Sequence, residues 1–331
     1  MKLNDKSLLI TGIGGFIGFR TAELALQRGI KVRGLQRSLS KAQKAQNLGV
    51  EVMIGSITDP VAAQKACQGM DMVLHTAAIA KEGGTLKDFR DVNVGGAVTM
   101  AKAAKAAGIR VFVHLSSVMV YGFHYPNLVT EDGELRGEQN PYCQTKIESE
   151  QELLKLHDFP NFNVIIIRAG DVYGPGSLHW TVRPLLLMHQ RLFILANGGR
   201  GAINHLYIDN LMDAIFLALE KESYGEIFNI TDGQNTSWKV FFMKLAEIGK
   251  LPSPRSLPAE IVKILIQLRC LYLKALGKPL DLLPETVNFI TRPYAYSIVK
   301  AQTQLGYKPK IDLDEGMERI QSWLKNTNIF N

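Results

Sequence analysis

The chain has 331 residues, with 38 Lys+Arg against 31 Asp+Glu for a formal net charge of +7, and 46% of it is hydrophobic. That length allows two domains or one large α/β domain with an appended lobe, and the near-average composition excludes a disordered or collagen-like chain. Three scattered cysteines, Cys67, Cys143 and Cys270, exclude a disulfide scaffold and a cysteine zinc ribbon. They suit a reducing compartment. The opening MKLNDKSLLITG runs straight into a strand without a leader pattern, and no apolar run reaches the ~18 residues of a membrane span. A cytoplasmic protein is expected. The charge excess favours anionic partners in general, but it forms no basic stripe, so no nucleic-acid partner is expected.

In chain order, short apolar runs predict buried strands at Ser7–Thr11, Lys31–Leu35, Val50–Ile54, Asp71–Leu74, Val111–Leu115 and Asn163–Arg168. Helix-length segments fall between them at Gly15–Gly29, Lys41–Leu48, Val61–Cys67, Asp88–Gly108 and Tyr142–His157. Strands and helices that alternate in this way need crossover connections, which predicts an α/β fold: a doubly wound parallel sheet of Rossmann type, with helices on both faces. From about Gly174 the rhythm breaks, with prolines at 175, 184, 252, 254 and 258. Residues 1–173 are thus read as a dinucleotide-binding domain and 174–331 as a smaller mixed α/β substrate lobe, with a segment near 203–222 returning to the first domain.

Thr11-Gly12-Ile13-Gly14-Gly15-Phe16-Ile17-Gly18 follows the first strand and opens a helix. Gly12 permits a tight turn, Gly15 lets backbone approach a pyrophosphate, and Gly18 allows close helix–strand packing. The helix start supplies amide donors and partial positive charge for the phosphates. The second strand ends in Gln36-Arg37-Ser38, with Ser40 and Lys41 following, where an acidic residue would select NAD(H). Arg37 and Ser38 can instead bind a 2′-phosphate, so NADP(H) is preferred, with NAD(H) possible.

Tyr142 and Lys146 stand four residues apart in Pro141-Tyr142-Cys143-Gln144-Thr145-Lys146, which places them on one helix face. A neighbouring cation is expected to lower the tyrosine pKa toward a useful range for acid–base work. Ser116-Ser117, at the end of a strand, can hold a carbonyl or alcohol oxygen. Cys143 points ~100° away and is not read as a catalytic thiol. His75 and His114 read as packed strand histidines. The seven histidines form no HExxH or other metal pattern, so no metal is expected, and there is no GxSxG elbow of a hydrolase.

These motifs, together with His75-Thr76-Ala77-Ala78, Asn93, Arg168-Ala-Gly-Asp-Val-Tyr-Gly-Pro-Gly176, Leu206-Tyr-Ile-Asp-Asn210 and Leu305-Gly-Tyr-Lys-Pro309, resemble the extended short-chain dehydrogenases/reductases of the NAD-dependent epimerase/dehydratase superfamily. The resemblance covers about residues 7 to 325. It implies Tyr142 as general acid/base and Lys146 as its pKa modulator and nicotinamide-ribose contact. Ser117, three residues before Val-Tyr-Gly, would orient the reacting oxygen, and Asn93 would support the helix or a proton-relay water. It also implies cofactor contacts from Phe16, Ile17, Ile57, Ala77, Ala78 and Val172, and a homodimer. Where the family often has Gly-Asp after the third strand, this chain has Gly55-Ser56-Ile57, and Ser56 can hydrogen-bond adenine in the acid's stead.

The family divides into enzymes that recycle a bound nicotinamide and enzymes that exchange it. Sugar-nucleotide members commonly carry an arginine where this chain has Ile203, with Arg200 three residues earlier. They also often carry asparagine where this chain has Asp171, whose carboxylate is expected to repel a diphosphate. The stretch Ala259–Leu276 reads as a helix with a polar stripe of Lys263, Gln267, Cys270 and Lys274, otherwise apolar. It could line a pocket, pack in a core or dimer, or touch a membrane surface; the pattern is similar to the 3β-hydroxysteroid dehydrogenase-like branch. The reading is an NADP(H)-preferring oxidoreductase interconverting a ketone and a secondary alcohol on a largely apolar, steroid-like or lipid-like substrate. That substrate would lie where loops Gly122–Pro126 and Ser177–Arg183 converge, with Tyr121, Tyr125 and Trp180 as wall candidates. The alternatives are a nucleotide-sugar epimerase/dehydratase with tightly bound NAD, and a non-catalytic NADP-sensing protein.

Overall fold

The structure is a computed structural model and describes residues 1–80, 83–138, 140–278, 280 and 282–330. Its apolar runs become the strands β1 (Ser7–Thr11), β2 (Lys31–Gln36), β3 (Glu51–Ile54), β4 (Met72–His75), β5 (Val111–Ser117) and β6 (Asn163–Ala169). Of these, β4, β5 and β6 are buried throughout and β3 at the sheet edge is not. The short strands β7 (Asp171–Tyr173), β8 (Ile194–Ala196), β9 (Ala202–Ile203) and β10 (His205–Tyr207) follow, and β11 (Ile227–Ile230) returns to the main sheet. That sheet has seven strands in the order β11-β6-β5-β4-β1-β2-β3, all paired in parallel. The order reverses between β1 and β4, and there the carboxyl ends of two strands diverge and open a crevice.

The helices are α1 (Phe16–Gln27), α2 (Leu39–Asn47), α3 (Pro60–Cys67), α4 (Leu86–Phe89), α5 (Gly96–Ala106) and α6 (Pro141–Leu154). After them come α7 (Arg183–His189), α8 (Ile208–Glu220), α9 (Trp238–Ile248), α10 (Ala259–Ala275), α11 (Thr286–Thr291) and α12 (Leu313–Lys325). Alternate residues of each strand enter opposite cores, as a period of two requires. Leu8 and Ile10 pack with α8 residues such as Leu211 and Ile215. Leu9, Val73 and Phe112 pack with Ala97, Met100, Ala101 and Ala104 of α5.

Two elements differ from the sequence expectation. The helix expected over 88–108 is divided: α4 starts on a capping box between Thr85 and Asp88, and a π-helical turn over Arg90–Gly95 joins it to α5. The wider turn carries buried Asn93, and such turns recur at functional sites. The strand β11 was not expected, because four residues after a turn carry too little period to register. It pairs Ile227 with Ile166 and Ile230 with Ala169. The segment near 203–222 supplies β10 and α8, and α8 is tied to α1 by Arg20–Asp209 at 2.7 Å and Arg28–Asp213 at 2.9 Å.

The helix α10 packs through Val262, Ile266 and Cys270 against Ala196 and Val287. Cys270 is therefore not part of a polar stripe: it is buried, and its thiol donates to Leu282 O at 3.2 Å. Beneath β5 and β6, Arg168 forms a buried fork on Glu150, with Nη2 2.7 Å from Oε2. Arg168 also donates to the Tyr121 hydroxyl at 2.6 Å, and Tyr121 donates to Asn229 Oδ1 at 2.7 Å.

Removing one partner of such a pair leaves an uncompensated buried charge. Glu150→Leu should lower unfolding stability by about 3–5 kcal/mol in urea titrations, and adding Arg168→Met should recover most of that loss. Losses that simply add in the double variant would show that the pair is not coupled.

Candidate active site

The end of β1 and the end of β4 are clipped together by hydroxyls. Thr11 Oγ1 accepts from the amides of Thr76 at 3.1 Å and Ala77 at 3.2 Å and shares a 3.0 Å bond with His75 Nδ1. Thr76 Oγ1 donates back to Thr11 O at 2.7 Å. This brings Ala77 against Gly12, where φ is +72° and a Cβ would lie 3.2 Å from Ala77 Cα. A Cβ at Gly18 would lie 2.5 Å from Gly12 O, so this glycine lets α1 seat directly on the loop. At Gly15 a Cβ would meet only Gly12 O, at 3.2 Å, which leaves its outer side open. Gly14, which the sequence reading did not single out, would meet Lys41 O at 2.4 Å and is the contact between the loop and α2.

The helix α1 begins at Gly15 with no side-chain cap and no acidic residue in its first turn. The amides of Phe16 and Ile17 thus have no acceptor inside the helix and face the crevice end of the sheet. The Phe16 ring approaches Gly174 just beyond β7. A backbone cradle with uncapped amides, walled by Ala77, fits the diphosphate of a dinucleotide. At the tip of β2, Arg37 is exposed. Ser38 precedes α2 without capping it and shares a 2.8 Å hydroxyl bond with Ser40. Ser56 is hydrogen-bonded to the Thr58 hydroxyl at 2.8 Å, and Ile57 is buried against Gly96. Val172 is buried in β7. Among the described residues, no group of three or more His, Cys, Asp or Glu is placed to hold a metal ion.

Helix α6 starts on Asn140, whose side chain accepts from the amides of Tyr142 at 3.0 Å and Cys143 at 3.1 Å, with Pro141 at the first helical position. The Ser117 hydroxyl lies beside the Tyr142 phenol, close enough to favour its ionised form, and Ser117 Oγ accepts from Met119 N at 3.2 Å. Ser116 points away and donates to Glu150 Oε1. Lys146 is 4% exposed; its Nζ donates to Leu115 O at 2.7 Å and lies 5.8 Å from the centre of the Tyr142 ring. Asn93 Oδ1 accepts from Ile79 N at 2.7 Å, while its Nδ2 donates to Ile79 O and to Thr145 Oγ1 at 3.1 Å each. Both of its donor hydrogens are engaged, so it joins the loop after β4 to α6.

The electrostatics differ from the expectation that Lys146 lowers the Tyr142 pKa. Burial pushes the Tyr142 phenol up to about 12, opposed by the Ser117 hydroxyl. Burial also pushes the Lys146 ammonium down to about 8, opposed by Glu150. The shift of Tyr142 is set by water exclusion because Lys146 is turned toward a β5 carbonyl. The Cys143 thiol is likewise pushed up to about 12 by burial. His75 is pushed down to about 3 by burial, with Lys146 adding to it, and His114 is driven well below its usual range.

Asp171 requires a correction. It is buried, ion-paired with Arg292 Nη2, and accepts from Asn204 N at 3.0 Å. Burial pushes its carboxyl up and Arg292 opposes this. The pair matches charge internally, so Asp171 does not repel an incoming anion as a free carboxylate would, and Arg292 is not free to bind one. The sequence reading missed Arg292, whose only signal was a cation within an aromatic stretch, FITRPYAYS. Arg292 also lies over the Phe289 ring at 4.1 Å.

Of the expected wall residues, Tyr121 is held in the Arg168 network inside the core. Tyr125 stacks on Tyr296 at 4.5 Å. Trp180 meets Trp238 at 5.6 Å and Phe289 at 6.1 Å, and Phe123 meets Phe289 at 6.1 Å. A run of aromatic rings therefore leads from Arg292 through Phe289 to Phe123, Trp180 and Trp238.

A family model described as the NAD dependent epimerase/dehydratase family matches residues 8–231. The chain is 26% identical over 321 residues to a 4-hydroxy-2-methyl-3-oxo-4-farnesyl-3,4-dihydroquinoline-1-oxide ketoreductase of Stigmatella aurantiaca, covering 94% of this chain and 95% of that protein. It is 26% identical over 330 residues to a decarboxylating sterol-4-alpha-carboxylate 3-dehydrogenase of Dictyostelium discoideum, covering 95% of this chain and all of that protein. The crystal structure of UDP-glucuronic acid 4-epimerase from Bacillus cereus in complex with NAD superposes with a TM-score of 0.78. It is 23% identical and covers 98% of this chain and 100% of its own, a likeness of fold.

Two measurements test the site. Tyr142→Phe should abolish turnover while leaving NADPH affinity within about threefold, read by fluorescence titration; a variant that still turns over would remove Tyr142 from the role of acid. Because Lys146 loses its proton above about 8, steps that need its charge should slow as pH rises through that value. A kcat/KM profile for carbonyl reduction should decline there, and the decline should vanish in Lys146→Met.

Proposed function

The chain belongs to the NAD dependent epimerase/dehydratase family and is an NAD(P)-dependent enzyme of the extended short-chain type; from that premise we propose that it interconverts a ketone and a secondary alcohol on a largely apolar substrate, with NADP(H) preferred. The observation that carries the reading is the Ser117 hydroxyl beside the Tyr142 phenol, at the start of a helix whose Lys146 is buried against the end of β5.

When bound, the nicotinamide supplies or accepts the hydride at the reacting carbon. The chain's own residues handle the proton. Tyr142, held protonated by burial, gives its proton to a carbonyl oxygen oriented by the Ser117 hydroxyl. In the reverse direction the same phenol must be ionised to accept a proton, and the Ser117 hydroxyl favours that anion. Asn93 keeps α6 against the loop after β4 and so holds Tyr142 in register with the cradle.

An apolar substrate is supported by the run of aromatic rings, by Ile203 in the position where a sugar-nucleotide enzyme has its arginine, and by an Arg292 committed to Asp171. A farnesyl-bearing quinoline oxide and a sterol, the substrates in the two relatives' names, are of the same class. Arg37, Ser38, Ser40 and Lys41 around the start of α2 support a 2′-phosphate site, since they offer a cation and hydroxyls and no carboxylate. The three cysteines are free and buried, and no helix of the described residues is long and apolar enough to cross a membrane. We place the enzyme in the cytoplasm as a homodimer.

Arg37→Ala should raise KM for NADPH about tenfold or more while changing KM for NADH little, and equal effects would remove the 2′-phosphate assignment. Denaturing the purified protein and identifying the released nicotinamide by mass tests the class of reaction. An empty site that takes up NADPH more tightly than NADH fits a net reductase. Stoichiometric, tightly held NAD+ would instead favour an epimerase.

A further inference from the structure

We infer that α10 docks the protein on an anionic lipid surface. The helix buries one narrow face through Val262, Ile266 and Cys270. Its outer face carries Ile261, Ile264, Leu265, Leu268, Leu271 and Tyr272, each between 45% and 64% exposed. At 100° per residue these six side chains occupy an arc of about 120° that contains no charge. Single exposed leucines are ordinary, but six on one helix face form the contiguous apolar patch that marks an interaction surface.

The polar residues lie outside this arc. Gln267, Lys274 and Lys263 fall about 40–80° beyond one border with Glu260 nearer to it, Arg269, itself engaged, lies about 40° beyond the other, and Lys278 follows the helix. Over 259–278 there are four cations, Lys263, Arg269, Lys274 and Lys278, and one acid, Glu260. An apolar face flanked by cations is the arrangement of a helix lying in a membrane interface, with Lys and Arg stems reaching to the headgroups. The same charges decide against a second copy of this chain. Two α10 faces packed together would bring their flanking lysines side by side. An anionic headgroup layer matches them.

The site beneath the face fits this occupant. A cavity of about 280 Å³ lies between α7, β8, α10 and α11, lined by Leu192, Phe193, Leu265, Ile266, Trp238 and Ile290. Leu265 belongs to both the cavity wall and the outer face, and Leu192 beside it is 62% exposed. Trp238 in turn touches Trp180 in the run of aromatic rings. An apolar solute dissolved in a bilayer would therefore meet this opening without crossing water.

The test is flotation of the full chain with phosphatidylglycerol-containing vesicles and with pure phosphatidylcholine vesicles, which needs no substrate or turnover. The wild type should float with the first and far less with the second, and added salt should weaken binding. Leu268→Glu/Leu271→Glu should lose binding about tenfold or more with an unchanged circular dichroism spectrum and unchanged cofactor affinity. If that spectrum changes, the single Leu271→Glu replaces the pair in the same comparison. Lys263→Glu/Lys274→Glu should abolish the preference for phosphatidylglycerol. Absence of wild-type flotation, or flotation unaffected by the glutamates, overturns the proposal. So does a wild-type dimer, seen by sedimentation, that the same substitutions dissociate. None of these outcomes depends on the chemistry proposed for Tyr142.

Discussion

A lysine ammonium with almost no access to water must find oxygen acceptors or lose its charge. Lys146 meets that constraint by donating to the carbonyl of Leu115 near the end of β5, and much of the site follows from it. The bond fixes how far along β5 the helix α6 can lie, and so sets Tyr142, one turn earlier, beside Ser117 at the strand's end. The same seating turns Thr145 toward Asn93, whose side chain reaches the backbone at Ile79. One buried cation thereby aligns α6, the end of β5 and the loop after β4. The energetic consequence appears in the ammonium itself, which burial holds at about 8, and in the phenol, which burial holds at about 12. Burial resists charge on both groups, which in the proposed reaction keeps a proton on Tyr142 until an oxygen takes it.

Two further buried ion pairs bracket this arrangement at different depths. Glu150 and Arg168 lock α6 to β6 one turn beyond Lys146 and hold Ser116 away from the reaction side. Of two adjacent serines on one strand, alternation sends one hydroxyl to the support and the other to Tyr142. Asp171 and Arg292 act on the opposite side. They join the strand after β6 to a segment more than a hundred residues later, and Asn204 is held by the same carboxylate. Replacing either pair by apolar residues could match it in stability; what an apolar pair lacks is direction, and it is direction that sets the angle of a helix or a lobe.

The parallel sheet, the glycine turn and the tyrosine–lysine spacing were legible in the sequence because each is a local pattern. Strand length, helix start and motif spacing are written within about 20 residues of one another. Asn140 and Pro141 ahead of Tyr142 are such a local signal, and the helix begins there. The unread features depend on distance or on fine geometry. The π-helical turn at Arg90–Gly95 differs from an α-helix by one residue per turn, which periodicity does not resolve. β11 is a strand because β6 lies beside it, and its own four residues carry little signal. Arg292 and Asp171 are separated by 121 positions, so reading Asp171 alone gave it a free charge that its partner removes. The expected drop in the Tyr142 pKa was wrong for a related reason: spacing places two side chains on one face but does not say which acceptor the lysine chooses.

The placement of Arg292 also bears on how such a scaffold changes substrates. The guanidinium lies over Phe289, and Phe289 touches Trp180 and Phe123. The run of rings is therefore anchored at one end by an ion pair whose acid sits in the strand next to the catalytic edge of the sheet. With its charge matched internally and both side chains buried, the pair presents no free charge to a ligand. A ligand bearing a diphosphate would gain little there, since a cation already paired in a buried site binds a second anion only at the cost of the first. An apolar ligand loses nothing there. In the proposed function, selection for apolar over anionic substrates thus arises from where a charge is neutralised, with Ser117, Tyr142 and Lys146 unchanged.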